Sequence, residues 1–212
     1  LDDVEAGWIP VAFAGDVPAG VAAPAIVAGR EVVVWRTAGG DVRAFADRCP
    51  HRGMRLSFGF VRGETLACLY HGWRWRADAT CAAVPAHPDL APPPSLRADA
   101  YVVTEASGLV WIASAPQDTP PPEIGADARP LASLVCERPA GAARAALGAR
   151  GCVARVMAEA LALTVAIQPA GEGTSMLHVL LEETGADPAR AHAALDAAEA
   201  LRDRLERLEE TA

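Results

Sequence analysis

The stretches "CPHRG" (49–53) and "CLYHGW" (68–73) place a Cys-x-His and a Cys-x-x-His close together in one short region. Each puts a thiolate and an imidazole on a loop made tight by a glycine, and together they offer two sulfur and two nitrogen ligands. Such a set can hold one tetrahedral zinc ion. It can equally hold a [2Fe–2S] cluster, with two cysteines on one iron and two histidines on the other. Spacing alone leaves both open.

The rest of the composition narrows the setting. The chain has 212 residues, 51% hydrophobic and 22% charged, which predicts a packed core in one large or two small units. No apolar run approaches the eighteen or so residues of a membrane span. "VAAPAIVAG" (21–29) is too short, and the chain opens at Leu1 without a signal-peptide pattern, so a cytoplasmic protein is expected. All nineteen basic residues are arginine, and the formal charge of −8 argues against a general nucleic-acid binder. Five cysteines without a secretory signal read as reduced thiols rather than a disulfide framework. Charge is unevenly spread. Residues 43–78 hold seven arginines and three acids, a net +4, while the remainder holds twelve arginines and twenty-four acids, a net −12. The basic island coincides with the Cys/His loops. It is either a solvated surface with chance clustering or a docking face for an acidic electron donor.

Working outward, residues 1–115 read as β-structure. "GREVVVWRTAGGDVRAFAD" (29–47), "FVRGETLACL" (60–69) and "AYVVTEASGLVWIA" (100–113) are strand pairs turning at Gly39-Gly40, Gly63 and Ser107-Gly108. Short strands at this spacing predict a small antiparallel barrel or sandwich. The proline-rich "APQDTPPPEIGADARP" (115–130) reads as a linker, placed at 116–130. Residues 131–212 form a smaller α+β unit. In "ALALTVAIQP" (160–169), Leu161, Leu163, Val165 and Ile167 share one face; "AGEG" turns the chain, and "TSMLHVLLEE" (174–183) returns. Asp187 then caps a helix with Pro188 at its first position, and Leu195, Ala198, Leu201, Leu205 and Leu208 are predicted as its apolar stripe.

The text around the loops, "DRCPHRGMRLSFG", "CLYHGWRWRADATC" and "VPAHP", resembles the N-terminal domain of the Rieske non-haem iron oxygenases. The resemblance extends to "GWIPVAFAGDVPAG", "AGREVVVWR", "GDVRAFAD" and "YVVTEASGLVWIA", about residues 7–114. It implies a [2Fe–2S] cluster with Cys49 and Cys68 on one iron and His51 and His71 on the other. Around these ligands, Gly53 and Gly72 permit the turns, Tyr70 and Trp73 shield the cluster, and Arg52 and Arg55 add positive charge that favours the reduced state. Met54 and Tyr70 stand where the quinol-oxidising branch has an extra disulfide. That implies the lower end of the Rieske range of roughly −150 to +300 mV. Reduction is expected to be pH-linked through the two imidazoles. Cys81, Cys136 and Cys152 are left as buried thiols. Where many relatives have a glycine, this chain has Ala79, which predicts a looser turn.

The full oxygenases add a larger helix-grip domain holding a mononuclear iron on two histidines and a carboxylate. Here His87 lies in a proline loop, and His178 and His192 lie on a strand and a helix. A site built from His178, His192 and Glu182 or Asp196 is geometrically open, but a packed or exposed histidine is the commoner outcome. The expectation is therefore a C-terminal remnant of that domain with no catalytic residues and no mononuclear iron. The chain would be an electron-transfer or assembly subunit, trimeric or hetero-oligomeric, between a ferredoxin or flavin reductase and a catalytic oxygenase subunit. The rivals are a complete mono- or dioxygenase with an atypical iron site and a redox-sensing or structural cluster protein.

Overall fold

The computed structural model describes residues 7–183 and 187–208, so the outer ends of both expected units lie outside the described residues. Ten short strands come first: β1 (Ile9–Phe13), β2 (Ala22–Val27), β3 (Arg30–Arg36), β4 (Val42–Ala46), β5 (Phe60–Arg62), β6 (Thr65–Ala67), β7 (Arg74–Arg76), β8 (Cys81–Ala83), β9 (Val102–Ala106) and β10 (Leu109–Ala113). They form three antiparallel sheets ordered β1-β10-β9, β2-β3-β4 and β5-β6-β7-β8. β3 explains the close packing of these sheets. Its "VVVW" run does not alternate with polar residues because both of its faces are buried. Val32 and Val34 join a core with Val110 and Ile112, while Val33 and Trp35 join a second core with Leu56, Leu66 and Trp75. That second core lies under the Cys/His loops and contains both Cys49 and Cys68.

No strand or helix forms from residue 114 to 127. β11 (Ala128–Cys136) begins inside the stretch read as linker, because its pairing with β14 (Ser175–Glu182) outweighs the turn signals of its proline. The C-terminal part is also larger than a hairpin and one helix. α1 (Ala140–Ala146), β12 (Val153–Ala158), β13 (Leu161–Pro169) and α2 (Pro188–Arg207) complete a sheet ordered β11-β14-β13-β12. The face of β13 carrying Leu161, Leu163, Val165 and Ile167 packs under the two helices, as its alternation predicts. The cap is also as read, with Asp187 accepting a hydrogen bond from the Ala189 backbone at 3.0 Å.

The helix stripe needs correction. α2 buries Ala194, Ala197, Ala198, Leu201 and Leu205. Leu195 sits at the edge of that face, and Leu208 lies beyond the last turn and is 49% exposed. Small alanines carry the contact because the helix lies close on the sheet, and sequence periodicity alone weights leucine above alanine. Ala79 also differs from expectation. It takes a left-handed φ of +70° with its N–H donating to Arg76 O at 2.9 Å, so the tight turn survives without glycine. An L-residue there costs roughly 1–2 kcal/mol, offset by a methyl group buried in the core beneath the loops.

The two parts pack directly. Phe13, Leu109, Trp111 and Ile124 share a core with Cys152, Val153, Ala166 and Leu180. The Ala28 and Gly29 N–H groups donate to Pro169 and Ala170 O at 2.8 and 2.7 Å.

Candidate metal centre

Two loops of nearly identical backbone geometry stand side by side at one end of the first part. In the first, leaving β4, Gly53 N–H donates to Cys49 O at 2.8 Å and Cys49 N–H to Met54 O at 2.8 Å. In the second, between β6 and β7, Gly72 N–H donates to Cys68 O at 3.0 Å and Cys68 N–H to Trp73 O at 2.8 Å. Both therefore close from position five back to the cysteine, and the cysteine closes onto position six. Gly53 and Gly72 hold left-handed φ values of +72° and +69°, so the shared turn requires glycine at both. A Cβ on Gly72 would also come within 3.1 Å of Pro85 Cγ.

This common frame sorts the four side chains into two pairs. Cys49 and Cys68 are buried and their thiols interact with one another. His51 and His71 lie further out, with ring centroids 4.8 Å apart. Their surroundings differ. Trp73 stacks on His51 at 4.3 Å and 8°, while Tyr70 leans on His71 at 3.8 Å and 32°. Trp73 thus covers one imidazole, whereas Tyr70, 55% exposed, covers the other only from the solvent side. Of the two expected cations, Arg52 is exposed and helps hold the His51 imidazole below its usual range, after burial and alongside His71. Arg55 is ion-paired with Glu31, so its charge is largely met. Burial pushes the Cys49 thiol up to about 11; the His51 backbone N–H opposes this, Cys68 adds to it, and the Trp75 indole opposes it again. The Cys49 thiol must therefore give up its proton when a metal is taken up.

The donor set fits a [2Fe–2S] cluster on its own chemistry: paired thiols inside, paired imidazoles outside. Among the described residues no three His, Cys, Asp or Glu side chains converge as a single metal ion needs. A match to the Rieske [2Fe-2S] domain covers residues 7–94. The chain carries a Rieske [2Fe–2S] domain.

That domain's cofactor is the [2Fe–2S] cluster, and some of the proteins that match it are oxygenase components. Oxidoreductase NdmD of Pseudomonas putida is 40% identical over 105 residues, 49% of this chain and 18% of that protein. The 3-chlorobenzoate-3,4-dioxygenase oxygenase subunit of Comamonas testosteroni is 35% identical over 108 residues, 50% of this chain and 25% of that one. The chloroplastic Protein TIC 55 of Arabidopsis thaliana is 32% identical over 117 residues, 55% of this chain and 22% of that one. The matched stretch is thus about a quarter or less of each. In fold the likeness runs further. Dicamba Monooxygenase superposes with a TM-score of 0.75 at 17% identity, over 96% of this chain and 86% of that one. NdmA of Pseudomonas putida CBB5 gives 0.70 at 18%, over 97% and 82%. The β-rich Rieske domain plus a small α+β part is therefore a fold shared with Dicamba Monooxygenase and NdmA.

Two residues beside the Rieske loops were not singled out from sequence. Asp47 is buried and accepts from Ser57 N–H at 2.7 Å and Ser57 Oγ–H at 2.5 Å, closing the base of the first loop. Its only sequence signal is an acid two residues before Cys49. Trp75 is fully buried in the core that contains both cysteines. The signal there is the Trp73-Arg74-Trp75 alternation, which points Trp75 inward on β7.

The histidines outside the Rieske loops do not assemble. His87 is exposed in the proline loop and His192 is exposed on α2. His178 is buried on β14, with Nδ1 2.8 Å from Ser133 Oγ and Nε2 2.8 Å from Gln168 Oε1. Gln168 Nε2 donates to Ile26 O at 2.7 Å, which fixes its Oε1 as acceptor, so His178 carries its proton on Nε2. Glu182 is engaged by Thr164 and by Arg155. Cys81, Cys136 and Cys152 are buried, as expected. No helix among the described residues is long and apolar enough to cross a membrane.

Proposed function

We propose that this chain is a Rieske electron-transfer component of an oxygenase system, receiving single electrons from a ferredoxin or flavin reductase and passing them to a catalytic oxygenase subunit. Cys49, Cys68, His51 and His71 are assigned as the cluster ligands, with the matched loop pair as the observation that carries the reading. The bound cluster supplies a one-electron store. The chain's own residues determine how it is reached. The thiols sit over the buried core of Leu56, Leu66 and Trp75, so water is excluded from the sulfur end. The imidazoles lie at the surface, where a partner can approach within electron-transfer distance. Tyr70, beside His71, is about half exposed, and so are Phe58, Phe60 and Leu69 in the same stretch of chain. Arg55 and Arg62 lie over the Phe58 and Phe60 rings at 5.8 and 5.5 Å. Exposed aromatics interleaved with arginine suit a protein interface, and the +4 island suits an acidic partner.

The reading divides the chain at 116–130, with residues 131–212 as a packing unit. In that unit His178 is spent on Ser133 and Gln168. Five cysteines read as reduced suit a cytoplasmic setting. The oxygenase fold over nearly the whole chain favours a second reading, a complete oxygenase with its own mononuclear iron. Iron and acid-labile sulfide counts on the loaded protein separate the two. About two irons and two sulfides per chain, with one-electron reduction and no turnover alone, support the carrier. A third iron, or product formation without a partner, overturns it.

A further inference from the structure

The sheet β11-β14-β13-β12 buries one face under its helices, and part of the other face packs on the Rieske domain through Ala166 and Leu180. Further along the same strands a cleft of about 600 Å³ opens between the two parts. β2 lines one side and β11 and β14 the other, and the electron-transfer reading makes no use of it. Its size and its place between two packed units are those of a small-molecule site. The lining is mostly apolar. Ile26 on one wall and Val135 on the other are 52% and 55% exposed, and Pro24 and Met176 line the cleft with them.

The polar groups at the cleft have their hydrogen bonds assigned, and that selects the ligand. Gln168 spends Nε2 on Ile26 O and Oε1 on His178, and His178 takes its other bond from Ser133. The Ser133 hydroxyl proton is thereby committed. Ser133 is exposed at the cleft, so it offers a ligand only oxygen lone pairs. The Thr174 hydroxyl can play either part. The charged lining is Asp16, Glu31 and Asp47 against Arg55, three acids to one arginine, and that arginine is paired with Glu31. Negative charge and a spare acceptor favour a ligand that brings a donor and positive charge, and they disfavour an anion.

We propose that this cleft binds a small apolar amine, its body against Pro24, Ile26, Val135 and Met176 and its ammonium N–H donating to Ser133 Oγ. The occupant is a small molecule rather than an added strand. β2 is an edge strand, but Pro24 has no N–H to give a ladder and Ile26 O is already taken by Gln168. The proposal stands apart from the cluster assignment, since none of the four assigned ligands lines the cleft.

The test uses the full chain grown with methyl-¹³C methionine and three probes of one shape: benzylamine, benzyl alcohol and benzoate. Of the three methionines, Met54, Met157 and Met176, only Met176 lines the cleft. Benzylamine at neutral pH should shift the Met176 methyl resonance saturably and leave that of Met157, 68% exposed on β12, in place. Benzyl alcohol should bind more weakly and benzoate not at all. Ser133→Ala should weaken benzylamine roughly tenfold, the worth of one hydrogen bond. Val135→Arg, at an exposed position, should abolish binding by filling the cleft and reversing its charge. No saturable Met176 shift up to tens of millimolar benzylamine overturns the proposal. So does benzoate binding as tightly as benzylamine, or parental affinity in either variant. A Met176 shift that follows protein concentration without any probe places a second copy of the chain in the cleft and overturns it too.

Discussion

His178 ties acid stability to the joint between the two parts of the chain. Burial holds its imidazole down at about 4, against an ordinary value near 6.5. The native state therefore keeps it neutral between these values, while the unfolded chain takes up a proton below about 6.5. More protons on the unfolded state means that stability falls as pH drops through this window. At about 1.4 kcal/mol per pKa unit, the loss is about 3 kcal/mol by pH 4, with nothing further from this group below that. The structure gives the mechanism. His178 Nδ1 accepts from Ser133, Nε2 donates to Gln168, and Gln168 donates to Ile26 O in the Rieske domain. A second ring proton would face the Ser133 hydroxyl and break the chain of bonds. The Phe13 ring at 5.5 Å offers no compensation for an unpaired Nδ1–H. Asp16, Glu31, Asp47 and Arg55 line the cleft of about 600 Å³ beside it. The cleft's one arginine is already paired with Glu31.

The assay is denaturant unfolding of the parent and His178→Gln from pH 8 to pH 4 at fixed ionic strength. Glutamine keeps a polar contact but does not titrate. The difference between the two curves isolates this residue from Asp78, whose depressed carboxyl acts below its ordinary 3.8 and so at more acid pH. Subtracted curves that stay flat from 6.5 to 4 would refute the reasoning.

Other substitutions probe separate parts of the structure. Asp47→Ala should cost about 2 kcal/mol, because half-buried Ser57 loses both hydrogen bonds to the Asp47 carboxylate, and should speed cluster bleaching; denaturation and the decay of visible absorbance measure these. Leu201→Ala, under α2, should cost about 2–5 kcal/mol, while Leu208→Ala stays within about 0.5, read from denaturant midpoints. Arg52→Glu beside His51 should slow reduction by an acidic ferredoxin and weaken the salt dependence of its rate, measured by stopped flow.

The sequence made the metal chemistry legible because loops carry their constraints locally. Cys49, His51 and Gly53, like Cys68, His71 and Gly72, are fixed by turns of five or six residues, and short-range turns are written in consecutive letters. β13 was legible for the same reason, since a strand with one face under helices alternates. Long-range pairing hid the rest. The start of β11, residues 128–130, looked like linker because its partner, β14, lies some fifty residues away. The true stripe of α2 was masked by alanines whose burial depends on how closely the helix lies on the sheet. Trp75 and Asp47 escaped notice because their roles rest on what lies across a core or loop from them.

The sequence by itself determined the paired Cys/His loops, the strand pairs around them and the capped final helix, since each follows from neighbours within a few residues. Only the tertiary structure decided that the thiols pair inward and the imidazoles outward, that Trp75 is buried in the core that holds both cysteines, and that His178 joins the two parts through Gln168 and Ile26. Those are properties of packing, in which burial sets both the cost of a polar group and the partner it must find.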